Sequence, residues 1–415
     1  GTSEITAHGI CWDTTATPTL EGNHTDEGSV SDTGTFASNI TGLKKSTKYY
    51  LRAYATNSDT TIYGNEVTII TFPSFSKPTG NGTEENPYQI ANLENLAWLM
   101  ASDTAWDKHF IQTANIDATS TNNWYSGKGF IPIGNSTTKF TGTYNGQRHK
   151  IDSLYINRGS ENNIGLFGIT GSSKIVKLTL INVNITGKRH VGSIVGNNKG
   201  TINQCSATGN VNSNADFSEI GGLAGSNDST IKKSFSKVNV TSEGDYVGGI
   251  TGRNYHSGLI INCYSHGKIS GVVNIGGIVG HNYFGNIKYC YSTSPVNGIW
   301  DIGGIVGDNT YGTIQNSFWD TETSGLNHSD GGTGKTTPEM RSPGTYINEG
   351  WDFMNETNNG EEDVWGINPN ENGGYPFLSW QGFAYQTPLV ITTEEVTNID
   401  TTYATGNIKI LAEGT

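Results

Sequence analysis

The residues able to do chemistry are scattered through this chain. Nine His residues fall in no repeating column, and His190, His256, His266 and His281 stand singly, as surface or turn residues rather than as a ligand set. Cys11, Cys205, Cys263 and Cys290 offer neither a close pair nor a C-x-x-C spacing. Asp216, Asp228, Asp245, Asp301 and Asp308 lie in turn-like contexts, which favour a carboxylate for its local backbone bonds. Gly331-Gly-Thr-Gly-Lys-Thr336 echoes a phosphate loop without its full spacing and reads as a plain loop. H-E-x-x-H, G-x-S-x-G, Walker A and EF-hand patterns are missing from the sequence, and no carboxylate pair clusters on one face as a glycosidase needs. The expectation is a protein that is not an enzyme, with no catalytic residue, cofactor or metal ligand. Ca²⁺ in the turns would need converging oxygens that no spacing here supplies.

Nine N-x-[ST] sequons permit N-glycosylation: Asn23, Asn39, Asn81, Asn135, Asn184, Asn227, Asn239, Asn327 and Asn355. In a chain this rich in Asn, Ser and Thr they do not argue for it.

Glycine fills 55 of 415 positions, about twice the usual share, and charged residues are 15 %, against about 25 % in an ordinary domain. Such a composition disfavours helices. The net charge of −13 argues against nucleic acid as a partner, which needs a basic face. No run of about 18 apolar residues marks a membrane span. No basic-apolar-small leader opens the sequence, as expected of a mature product or a piece of something larger.

What organises the chain is a repeat. A Gly-rich box starts at Ile164, Val191, Ile220, Val247, Ile275 and Ile302, at steps of 27, 29, 27, 28 and 27 residues. A second box follows, as in Thr201-Ile-Asn-Gln-Cys205-Ser or Leu259-Ile-Ile-Asn-Cys263-Tyr, and a third β-like stretch such as Gly209-Asn-Val211 closes each unit. Three short strands per unit give one coil of a β-solenoid, because a propeller blade needs about 40 residues. Coils then stack at about 4.8 Å with Ile and Val inward. The doubled Gly suits either a close backbone approach or a turn with positive φ.

Alignment of the coils produces columns. Asn198, Asn227, Asn254, Asn282 and Asn309 form one, read as a structural ladder with a binding role as the alternative. Cys205, Ser234, Cys263, Cys290 and Ser317 form an inward column of free thiols and hydroxyls, with Cys263 and Cys290 poorly placed for a disulfide. Phe235, Tyr264, Tyr291 and Phe318 form an aromatic stack, or else a sugar-stacking platform.

The pattern [VI]-G-G-[ILV]-[VAT]-G-x-N followed by G-[TN]-I-x-x-C-[YF]-S resembles the GLUG motif of bacterial and archaeal surface proteins, some of them IgA-peptidase-like. Gly82 to Ile90, Leu93 to Met100 and Phe140 to Gly146 with Ile151 resemble the usual lead-in to such solenoids. Ser317 to Asp320, Trp351 to Phe353, Trp365 to Ile367 and Gly374 to Phe377 resemble the usual exit. The resemblance covers roughly residues 80 to 380. It implies an exported, adhesin-like protein at the cell surface or outside the cell, and supplies no catalytic set.

Open strand edges need lids. Leu93, Leu96, Ala97 and Met100 have helical spacing and should close the first coil. Trp319, Trp351, Phe353, Trp365, Phe377 and Trp380 are expected to plug the last coil, with a ligand pocket as the alternative.

Residues 1–72 resemble a fibronectin type III-like sandwich without its first two strands, including a tyrosine-corner pattern through Thr47, Tyr49 and Tyr54. Residues 388–415 resemble the missing pair. The predicted fold is therefore all-β: a right-handed parallel β-solenoid of about 27–29 residues per coil, with a fibronectin type III-like β-sandwich split between the termini. The expected divisions are 1–72, a linker and cap at 73–139, the solenoid at 140–319, an aromatic cap and linker at 320–387, and donated strands at 388–415. Val390, Ile391, Val396, Ile399, Tyr403, Ile408 and Ile410 would pack on Ile5, Ile10 and Trp12 of a neighbour. Six to eight coils span roughly 30–40 Å. Linkers 73–87 and 381–387 reach about 50 and 25 Å at most, so closure within one chain strains both and closure between chains strains neither. The expected partner is the protein itself, head-to-tail, or adjacent tandem units of one giant chain, as in an extracellular filament or long adhesin joined by strand donation. A host or cell-surface glycan or protein is the other partner class, and the alternative function is a glycan-binding or polysaccharide-processing solenoid.

Overall fold

A computed structural model describes residues 4–45, 47–356, 359–385, 390–397 and 405–412. The repeat folds as a parallel β-solenoid of about six turns. Each coil contributes to four ladders, two of six strands, one of nine and one of twelve. One register shows the logic. Ile175, Ile202, Ile231, Ile260, Ile287 and Ile314 pair in succession, each with its equivalent one coil on. All but Ile314 at the open end are fully buried. A β-branched column of one shape fills the interior layer by layer.

Two polar devices hold the stack. The first is the Asn column. Asn198 Nδ2 donates to Asn227 Oδ1 at 2.8 Å, Asn227 to Asn254 at 2.8 Å, Asn254 to Asn282 at 2.9 Å and Asn282 to Asn309 at 2.7 Å. Thr170 Oγ1 starts the ladder by donating to Asn198 Oδ1. The second proton of each amide goes to a carbonyl of its own coil, such as Gly200 O or Gly258 O. Buried amides are thereby satisfied in a column where a single gap would leave two groups unpaired.

The second device is the doubled glycine. A Cβ on Gly249 would lie 2.2 Å from Gly277 O, and one on Gly277 would lie 2.1 Å from Gly304 O. Close approach of neighbouring coils is therefore the reason for these glycines, and positive φ is not. Left-handed backbone occurs instead at the corner residues Gln204, Lys233, Asn262, Tyr289 and Asn316, with φ between 45° and 55°.

Parallel pairing begins earlier than the repeat. Tyr88–Ile90 pairs with His109–Gln112, both inside the stretch expected to be linker and cap, and the latter pairs with Thr143–Asn145 at the start of the expected solenoid. Helix α1, Leu93–Ala101, is capped by Asn92, whose side chain accepts from the Asn95 N–H, and it buries Leu96, Ala97, Leu99 and Met100 against the first turns. At the far end Thr333–Lys335 pairs with Phe318–Asp320. The stretch read as a loop at 331–336 is thus partly an edge strand, followed by a single helical turn.

Trp319, 5 % exposed, covers Gly304 of the last coil as part of the solenoid core, but the rest of the exit segment does not stay there. It doubles back along one flank. Trp351 Nε1 donates to Asn316 O, Trp365 Nε1 to Asn262 Oδ1, and Trp380 Nε1 to Lys233 O, three successively earlier coils. Helix α2, Pro343–Ile347, belongs to this segment.

At the N-terminus, strands β1 (Ala7–Asp13), β2 (Asn23–His24), β3 (Lys48–Thr56), β4 (Thr61–Tyr63) and β5 (Val67–Ile70) form one antiparallel sheet in the order β2-β1-β3-β4, with β5 also on β3. Strands β6 (Val390–Thr397) and β7 (Thr405–Ala412) form a separate two-stranded sheet, with Ile391 opposite Ile410 and Thr393 opposite Ile408. β6 runs beside α2. Among the described residues no strand pair joins this hairpin to the N-terminal sheet.

Replacing Asn254 by Ala is expected to lower stability by about 2 to 3 kcal/mol, because the amides on either side lose their partner in a dry interior. Asn309→Ala, at the half-buried end of the ladder, should cost about 1 kcal/mol or less. Chemical denaturation of both variants checks the order.

Candidate functional site

The N-terminal sheet leaves part of an apolar face uncovered, although Tyr49 and Leu51 on it are buried and Phe36 packs against His8. Residues directly opposite across a ladder share a face. The pairings Trp12–Leu51–Val67, Ile10–Ala53, His8–Ala55–Ile62 and Tyr49–Ile69 therefore place these side chains together. Ile62 and Val67 are 67 % and 58 % exposed, and Ile10 and Trp12 are half-buried. A hollow of about 870 Å³ opens on this face, with Ile5, Val30, Phe36, Ala53, Ala55 and Ile62 in its lining. The other face is closed by the chain itself. Tyr54 Oη donates to Thr25 O at 2.7 Å, and Cys11 is fully buried with its thiol pushed up by desolvation. The loop before β3 is fixed by the Lys44 N–H, which donates to Tyr49 Oη at 2.9 Å.

Ile5, Ile10 and Trp12 thus lie on or beside the bare face, Ile5 through its bridge to Val30. Val390, Ile391 and Val396 fall in β6, and Ile408 and Ile410 in β7. Ile399 and Tyr403 lie outside the described residues.

Tyr264 and Tyr291 cannot be an open platform. Both are fully buried beneath the returning exit segment, where Tyr291 stacks on Tyr375 and Trp380 stacks on Phe235. The sequence alone could not show this, because the covering residues lie about a hundred positions away. One sequon is also corrected. Asn227 is fully buried with both amide protons donated inside the ladder, so no glycan can be attached there. The other eight sequon asparagines are exposed. The four thiols are free and buried, and burial pushes the Cys205 thiol up to about 12. Among the described residues no group of three or more His, Cys, Asp or Glu side chains is arranged to hold a metal ion.

A charged cluster went unnoticed in the sequence. Glu219 is 2 % exposed and lies 2.9 Å from Arg189 Nη2, 3.2 Å from His190 Nε2 and 3.5 Å from Arg253 Nη1. One coil further on, His281, expected at the surface, is buried with Nε2 3.3 Å from Asp308 Oδ2. Desolvation lowers the His281 pKa against the pull of Asp308. For Glu219, desolvation acts upward, yet the hydrogen bonds and charges of His190 and Arg189 hold its carboxyl at about 2. The signal was the offset of Arg253, His281 and Asp308, each six residues after the start of its box.

Residues 243–270 and 271–297 match the GLUG motif. They are two successive coils of the solenoid. Over 139 residues, 32 % of this chain, the sequence is 42 % identical to halomucin of Haloquadratum walsbyi. Over 141 residues, 31 % of the chain, it is 35 % identical to a putative Gly-rich membrane protein of Evansella cellulosilytica. These stretches span 2 % and 15 % of the two relatives. Among the described residues no helix is long and apolar enough to cross a membrane.

A carboxyl held low stabilises the fold above its unfolded pKa of about 4.3 and loses that contribution as pH falls toward 2. Glu219→Gln is expected to cost about 3 kcal/mol at neutral pH and to flatten the fall in melting temperature between about pH 4.5 and 2. Thermal unfolding across that window checks it.

Proposed function

We propose that this chain is a structural unit of a long extracellular or cell-surface assembly, in which the solenoid is a rigid spacer and the bare N-terminal sheet is the joint. The occupant of the joint is the β6–β7 hairpin of the next unit, whether a separate subunit or the neighbouring unit of one longer polypeptide. The observation that carries the reading is the pairing of two incomplete parts. The sheet keeps Ile62 and Val67 in water, and the hairpin forms a two-stranded sheet of its own, which is marginal in isolation.

Joining the two would supply the second layer of a fibronectin type III-like sandwich. The Lys44–Tyr49 bond, a tyrosine-corner-like contact, supports that likeness. Donation between units is favoured over closure within one because the hairpin's first strand already lies beside α2 on the chain's own flank. A head-to-tail contact of this kind adds units without closing a ring unless the rotation happens to return to its start. The GLUG coils and the two relatives, one named as a mucin and one as a membrane protein, are in keeping with a surface location. No enzymatic step or cofactor forms part of the proposal.

Light scattering over a concentration series tests it. The full chain should grow in mass with concentration, and removal of residues 388–415 should leave a monomer. Val67→Lys on the bare face should do the same. If the truncated and full-length chains have equal masses at every concentration, donation between units is wrong.

A further inference from the structure

A second flank, on a different ladder from the one the returning segment covers, is left open, and it is unlike the rest of the surface. Phe217 contacts Tyr246 at 5.3 Å, Tyr246 stacks on His281 at 5.3 Å, and His281 meets Tyr283 at 5.7 Å. From Tyr283 the contacts continue to Phe284 at 4.7 Å and from there to Tyr311 at 5.0 Å. This is an unbroken strip of rings crossing three coil steps, about 14 Å along the axis. Its two ends reach solvent: Phe217 is 44 %, Phe284 47 % and Tyr311 77 % exposed.

Polar groups are set between the rings and held rigidly. Glu219 fixes two guanidinium groups from below. Arg189 lies 4.7 Å over Phe217, and Arg253 lies 4.2 Å over a fourth tyrosine, Tyr255. Each arginine uses one terminal nitrogen on Glu219, while its Nε, sealed from solvent, has no hydrogen-bond partner. His281 is 8 % exposed, and neither of its ring nitrogens makes a hydrogen bond of good geometry. What a surface ligand can meet is the rest of each guanidinium group, since the Arg189 and Arg253 side chains are 38 % and 24 % exposed.

We infer that this strip binds a neutral glycan chain laid along the solenoid axis. Alternating rings and planar polar groups match a sugar, whose C–H face stacks on an aromatic ring while its hydroxyls bond to the groups between. A protein partner fits less well, because the centre of a protein interface is depleted of charge, and the centre here holds Arg189, Glu219, Arg253, His281 and Asp308. Nucleic acid fits less well again, since two guanidinium charges are balanced by the carboxylates of Glu219 and Asp308. That balance also favours an uncharged chain over an acidic one. The inference is independent of the joint proposed above. It moves glycan contact from the buried Tyr264 and Tyr291 to a different flank.

Calorimetric titration of the full chain with hexasaccharides of β-1,4-linked glucose, α-1,4-linked glucose, β-1,4-linked N-acetylglucosamine and β-1,4-linked mannose tests the site. At least one should bind. Tyr311→Ala and Phe284→Ala, at exposed positions whose loss should not unfold the chain, should weaken that binding by about tenfold or more. Phe36→Ala, beside the N-terminal hollow, should leave it unchanged. Failure of all four sugars to bind overturns the inference, as does binding that both ring variants leave intact. Loss of self-association in Tyr311→Ala with no change in sugar binding assigns the strip to a protein contact instead, and overturns it equally.

Discussion

Everything in the rod obeys one constraint: successive coils lie a single strand spacing apart. At that distance a side chain meets its own equivalent above and below, so each interior position must hold a residue that stacks on itself. Ile does so through shape, Asn through a hydrogen bond passed from amide to amide, and Gly by leaving room for the next backbone. The thiol and hydroxyl column follows the same rule. Ser234 Oγ accepts from the Cys205 N–H, and Ser317 Oγ from the Cys290 N–H, so alternation of the two residue types ties adjacent coils.

The constraint governs only the inside. Outside, the repeat offers several flanks, and the chain treats them differently. The Phe235–Tyr264–Tyr291–Phe318 flank is covered by the exit segment, whose indole N–H groups find acceptors at the left-handed corners and loops of the coils. Covering it makes the aromatic stack a second core. The flank with Arg189, Glu219 and Arg253 has no such cover. Its charges are instead tied to one another, which fixes the geometry of groups that water would otherwise leave mobile.

At the N-terminal end the uncovered element is part of a sheet face. Cys11 and Tyr54 on one side are sealed by the chain's own loop, whereas Ile62 and Val67 on the other meet solvent. Apolar area of this kind is a binding surface or a liability to aggregation.

The order of the coils, the Ile core and the Asn ladder were legible from the sequence. A fixed period forces equivalent residues into register, and register alone decides what lies above what. Helix α1 was legible too, because a local apolar pattern specified it. The path of the exit segment was not. Its tryptophans meet coils about 35 to 150 residues earlier through single hydrogen bonds and ring contacts, which leave no periodic trace. That path decided which aromatic column is buried and which flank stays open. The meeting of Arg189, Glu219 and Arg253 was likewise a tertiary outcome. Their offsets within the repeat differ, and only the lateral packing of one strand corner against the next coil brings three unlike positions to one carboxylate.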